Sequence, residues 1–161
     1  MFTASYANEK ELRQDLRAFN RRLASKGVRI VPLRCRGNRA LLYLYRPKKL
    51  AEDLQHSAAR DILKQHGYPE PPARCVSFLR GRLAESGEFP HEVGLFLGYP
   101  PEDVSGFIKN GARACKCVGC WKVYGDEEKA KCTFAKYKKC TAVYCAQWAA
   151  GKSMERLMVA V

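Results

Sequence analysis

The sequence predicts an α+β domain in which several helices pack on a small, largely antiparallel sheet of about three strands. Three observations carry this. The runs VRIVPLRC (28–35) and ALLYLYR (40–46) are β-branched, aromatic and aliphatic. Between them stands only Arg36-Gly37-Asn38-Arg39, which suits a hairpin turn with Gly at its first central position. Elsewhere apolar residues recur at helical rather than alternating intervals. The chain has 161 residues and no internal repeat or low-complexity tract, so 1–161 reads as a single domain with a buried core.

The first helix has a readable start. Asn8 precedes Glu9 and Glu11 in a variant of the capping box, and Gly27 closes the far end. Leu12, Leu16, Phe19 and Leu23 form the expected buried stripe, with Arg13, Arg17 and Arg21 on the opposite face. In the hairpin, apolar residues occupy both faces of the second strand, which implies cover on both sides. Pro32 removes a ladder donor, so the first strand should be an edge there or bulged.

Arg46-Pro47 ends the hairpin. Helix follows from Lys48 to His66, broken near Ser57 and anchored by Leu50, Leu54, Ile62 and Leu63, and Gly67 stops it. Tyr68-Pro69-Glu70-Pro71-Pro72 is a stiff connector to a helix from Ala73 to Glu85, which presents Val76, Leu79 and Leu83 before Gly87. A short helix over Glu92 to Leu97 breaks at Gly98-Tyr99-Pro100. The next runs from Pro101 to Asn110, with Glu102 and Asp103 complementing the helix dipole and Gly111 just past the end. Ala114 to Tyr124 reads as the third strand, although its cysteines could instead sit on a loop. A long helix covers Asp126 to Ala150 and a short one starts at Ser153. On the long helix Phe134, Tyr137, Thr141, Tyr144, Cys145 and Trp148 share a stripe that reads as core, while Cys132 lies nearly opposite.

Net charge is +13, from 29 Lys and Arg against 16 Asp and Glu, a balance that attracts polyanions. Seven cations crowd the hairpin with no acid between them: Arg29, Arg34, Arg36, Arg39, Arg46, Lys48 and Lys49. With Tyr43 and Tyr45 among them they are the candidate contacts for nucleic acid or another polyanion. Charge alone specifies no partner, which favours the blander reading of a solvated surface. No apolar run approaches the roughly 20 residues needed to span a bilayer, and no secretory signal is visible, so the expectation is a cytosolic chain with reduced thiols and no membrane partner.

The eight cysteines permit one metal hypothesis. Cys115, Cys117 and Cys120 could supply three thiolates to zinc or an iron–sulfur cluster, with Cys75, Cys132 or His91 as a fourth ligand, provided a turn gathers them. The absence of a second Cys-x-x-Cys favours small, buried, reduced cysteines instead. His91-Glu92 could serve acid-base chemistry, but position 95 is Leu, so no zincin motif is present. Without a phosphate-cradling loop or nucleophile motif, an enzyme is the weaker class. A non-catalytic binding protein comes first and a thiolate metal or redox protein second.

The block FPHEVGLFLGYPPEDVSGFI, then GCWKVYG, with LLYLYRPKKL upstream, resembles the bacterial domain-of-unknown-function family DUF3793, found mainly in anaerobic Gram-positive bacteria. The residues that carry the resemblance are Phe89, Pro90, His91, Glu92, Gly98, Tyr99, Pro100, Trp121, Lys122 and Tyr124. The resemblance covers nearly the whole chain and brings no activity, cofactor or partner with it. It implies that this chain lacks an N-terminal segment that other members carry before the first helix.

Overall fold

In the computed structural model, which describes residues 1–85 and 89–159, the chain opens with a strand that its sequence pattern does not announce. This strand, β1 (Phe2–Ser5), leads to α1 (Glu9–Leu23) and then to the hairpin β2 (Arg29–Arg36) and β3 (Arg39–Tyr45). The three strands form one antiparallel sheet in the order β1-β3-β2. Three of the four β1 residues are exposed. Pairing with β3, from Phe2 opposite Leu42 to Ser5 opposite Arg39, makes this segment a strand rather than an alternating apolar pattern.

The hairpin turns at Gly37, whose φ of 58° lies where glycine carries no steric penalty. Both expectations for Pro32 hold: β2 is an edge strand, and its register against β3 shifts between Pro32 and Arg34. Leu42 and Tyr43 are consecutive, so they point to opposite faces, and both are buried. The sheet is therefore covered on both sides at that point.

Asn8 starts α1 by accepting from the backbone N–H of Lys10. Leu16 and Leu23 are buried, and Leu16 joins Ile30, Ala40 and Leu42 in a core cluster. Phe19, expected in the same stripe, is 36% exposed instead. The helix pattern after the hairpin divides into α2 (Pro47–Gln55) and α3 (Ser57–Gln65), with all four expected anchors buried. Next come α4 (Cys75–Ala84), with Leu79 and Leu83 buried, and the short α5 (Val93–Phe96). The helix stop expected at Gly87 lies outside the described residues. The Tyr43 hydroxyl donates to the Phe96 carbonyl and ties β3 to the end of α5.

These elements belong to the first of two compact units, Met1–Gly98; the second is Tyr99–Val161. The second unit holds α6 (Pro101–Asn110), a two-stranded ribbon of β4 (Cys117–Val118) and β5 (Lys122–Val123), then α7 (Glu127–Ala149) and α8 (Met154–Leu157). The third strand expected over Ala114 to Tyr124 is thus corrected. The segment folds on itself as a ribbon, because Gly119 to Trp121 turn it back so that Cys117 pairs with Val123.

The α7 stripe is corrected as well. Ala130 is buried and Phe134 half-buried against Trp121, but beyond them Tyr137, Tyr144, Cys145 and Trp148 are exposed, Trp148 at 58%. Periodicity shows which residues share a helix face; it does not supply a surface to cover that face. Asp103 does more than complement the α6 dipole. It is buried, and its carboxylate accepts from the Trp121 indole at 2.6 Å and from the Tyr124 and Gly125 backbone N–H groups at 2.7 Å each.

Candidate anion-binding groove

The cations of the first unit gather where three elements meet. Arg13 and Arg17 stand one turn apart on α1 and so share a side of it. Arg34 and Arg36 are two residues apart on β2 and share its face. Arg80 reaches the same place from α4. These five arginines line a groove of about 670 Å³ whose apolar lining includes Leu12, Leu16, Val31 and Pro32. Arg13 and Arg17 each follow a stripe residue by one position, about 100° round the helix, so they flank the buried stripe rather than oppose it. That corrects the expected placement on the opposite face.

The groove is strongly unbalanced in charge. Among the described residues Glu9 is the one acidic residue lining it, and Glu9 is paired with Arg13 at 2.6 Å. Among the described residues, Arg17, Arg34, Arg36 and Arg80 form no ion pair. Five positive charges against one negative leave a local excess of four among the described residues. Such an excess in a concave, partly apolar site strengthens its attraction for anions.

The backbone edge of β2 contributes little to that attraction. The Asn20 side chain takes both backbone groups of Ile30, accepting from its N–H and donating to its C=O at 2.8 Å each. Pro32 has no N–H, and the register shift follows directly. An edge occupied at one residue, lacking a donor at another and bulged between them is a poor acceptor for a further strand. What the groove offers an anion is therefore its side chains.

Of the seven hairpin cations, the structure brings only Arg34 and Arg36 to the groove. Arg46 donates to the Lys26 carbonyl at 2.7 Å, and Lys49 pairs with Asp53 at 2.8 Å. Arg29, Arg39 and Lys48 are exposed outside the groove. Tyr43 and Tyr45 stack on each other with centroids 4.6 Å apart and line a different cavity. Burial pushes the Tyr43 phenol well above its usual range. The sequence reading missed Arg13, Arg17 and Arg80. The first two stand beside the Leu12 and Leu16 stripe, a signal that could have found them, whereas nothing local to α4 points from Arg80 to β2.

A larger cavity, about 810 Å³, lies under the Tyr68–Pro72 connector. Its charged groups are the Arg60–Glu70 ion pair at 2.9 Å and Lys64, so it lacks the arginine excess of the groove.

The motif residues hold structure together within each unit. In the first, Glu92 is 1% exposed and its Oε1 accepts from the Tyr68 hydroxyl at 2.9 Å and from the Arg82 guanidinium at 3.0 Å. Burial, then the adjacent Glu92 charge, pushes the Tyr68 phenol far above its usual range. Phe89 and His91 are exposed with ring centroids 6.2 Å apart, and Pro90 is buried. Gly98 has a φ of 76°. In the second unit, Pro100 precedes α6, and Trp121 stacks on Tyr99 at 4.9 Å and meets Phe134 edge-on at 4.6 Å. Lys122 pairs with Val118 in the ribbon, and the Tyr124 hydroxyl donates to the Gly111 carbonyl. Residues 2–158 match the model of a family described as a protein of unknown function, DUF3793. The chain belongs to the DUF3793 family. No curated protein and no solved structure matches it.

In this DUF3793 chain Cys117 lies in β4 and Cys120 in the ribbon turn, with Cys115 just before the ribbon. The turn needed to gather them is present. Even so, no group of three or more His, Cys, Asp or Glu placed to hold a metal occurs among the described residues. Partial burial pushes the Cys117 thiol up. All eight cysteines are free and Cys75 alone is buried, so the expectation of buried cysteines at Cys115, Cys117 and Cys120 is corrected, while Cys132 is exposed as its place opposite the α7 stripe implied. Exposed Cys145 in particular leaves the core to which its stripe assigned it. No helix among the described residues is long and apolar enough to cross a membrane.

Proposed function

We propose that this DUF3793 protein is a cytosolic, non-catalytic binding protein whose arginine groove takes a polyanion, nucleic acid among them. One observation carries the reading: three separate elements bring five arginines to one groove whose single acid among the described residues is already paired. Arginine is the apt cation here, because its planar fork matches phosphate oxygens bidentately and stays charged at any physiological pH. A reducing compartment suits a chain with eight free thiols, five of them exposed.

The test compares wild type with a variant carrying Ala at Arg17, Arg34, Arg36 and Arg80. Retention on immobilised heparin and calorimetric binding of inorganic polyphosphate are measured after circular dichroism shows that the variant is folded. The expected result is loss of polyphosphate binding and earlier elution in salt. A folded variant that binds both polyanions as wild type does refutes the groove as the site.

A further inference from the structure

We infer that the polyanion this groove is built for is a single strand of nucleic acid, held extended along α1 and β2; the inference rests on the reading of the groove as a polyanion site. The cations on both walls repeat at nearly the same step. Arg13 and Arg17 are separated by four helical residues, about 6 Å of rise. Arg34 and Arg36 are separated by two strand residues, about 6.5 Å. That step is close to the distance between successive phosphates of an unstacked strand. The α1 wall from Glu9 to Asn20 is roughly 16 Å long, enough for about three such steps. A lone phosphate or sulfate could not reach cations spread over that length.

The apolar lining separates a single strand from a duplex. Leu12, Leu16, Val31 and Pro32 offer a surface to base faces, which an unpaired strand exposes and a duplex keeps stacked inside. Arginine planes can add stacking of their own. The blocked β2 edge separates nucleic acid from an acidic peptide. Peptides that bind along a sheet edge draw affinity from main-chain hydrogen bonds. Here Asn20 already holds both groups of Ile30, and Pro32 has none to donate.

No aromatic residue among the described ones lines the groove, so binding is mainly electrostatic and tolerant of sequence. With four free arginines, log affinity falls against log salt with a slope of about −0.7 per phosphate contact, or about −2.8 in all. Raising salt from about 50 mM to about 200 mM then weakens binding about fifty-fold in wild type and about twenty-fold in Arg80→Ala.

The experiment measures fluorescence anisotropy of labelled oligouridylates of increasing length, with unlabelled duplex RNA and polyglutamate as competitors. The expected result is an affinity that levels off after a few nucleotides and the salt dependence above. The duplex should compete at least about ten-fold less well and polyglutamate hardly at all, with Lys48→Ala behaving as wild type. Duplex or polyglutamate competing equally, with arginine-dependent polyphosphate binding intact, overturns the single-strand inference and leaves the groove reading standing. Binding to none of these polyanions overturns both. Single-strand binding indifferent to Arg17→Ala and Arg80→Ala places the strand elsewhere and also overturns the inference.

Discussion

Replacing Trp121 tests the packing of the second unit most directly. Trp121 is 8% exposed, lies between Tyr99 and Phe134, and donates its indole N–H to Asp103 at 2.6 Å. In Trp121→Phe much of the ring contact survives, but one oxygen of a buried carboxylate loses its donor. A hydrogen bond to a charged group contributes about 1.5–3 kcal/mol, which sets the expected loss for this variant. Trp121→Ala adds the cavity left by a large aromatic, about 3–5 kcal/mol, and the sum approaches the whole stability of a typical domain. Trp148→Ala is the internal control. At 58% exposed it should change stability by less than about 1 kcal/mol, although both residues are tryptophan and a helical stripe suggested burial. Urea unfolding followed by far-ultraviolet circular dichroism supplies the free energies. Hydrogen exchange supplies the local readout, since the Tyr124 and Gly125 amides donate to Asp103 and should lose protection in Trp121→Phe. The reasoning fails if Trp121→Phe lies within about 0.5 kcal/mol of wild type, or if Trp148→Ala is as damaging as Trp121→Ala.

Arg82→Met leaves the Glu92 carboxylate buried beside Tyr68 without its cation, so thermal or urea unfolding should show a loss of about 3–5 kcal/mol. Adding Glu92→Leu should recover part of it, and a double variant no better than the single would show that the charge is not the cause. A Cβ on Gly119 would lie 2.2 Å from the Phe134 ring, so Gly119→Ala should cost about 1–3 kcal/mol by urea unfolding, whereas Gly81→Ala, exposed and inside α4 with open space around it, should stabilise by up to about 1 kcal/mol. Burial pushes the Cys75 thiol up and its Sγ donates to the Pro69 carbonyl, whereas Cys132, Cys140 and Cys145 are exposed. A thiol reagent at neutral pH should modify those three rapidly and Cys75 only on unfolding, as peptide mapping would show; fast native labelling of Cys75 would contradict its burial.

What was legible in the sequence is what neighbours along the chain decide. Gly37 and Asn38 mark the hairpin turn because backbone sterics act over a few residues. Asn8, Pro101 and Asp126 mark helix starts because a helix N-terminus must satisfy its own free N–H groups. Pro32 announced an edge strand because a missing donor is a local fact. The remainder depended on partners far along the chain. The exposed β1 is a strand because β3 offers it a ladder. Asp103 is buried because the ribbon after it returns an indole and two amides to its carboxylate. The α7 stripe is exposed past Phe134 because helical periodicity cannot tell whether anything packs against a face. The candidate site divides in the same way. Arg34 and Arg36 were visible as part of a basic hairpin, but charge counted along the chain cannot distinguish them from Arg46 and Lys49, whose partners lie elsewhere in the fold. The packing of α1 and α4 against β2 selected those two and joined Arg13, Arg17 and Arg80 to them. A groove is a relation among surfaces, and only the tertiary structure sets which surfaces meet.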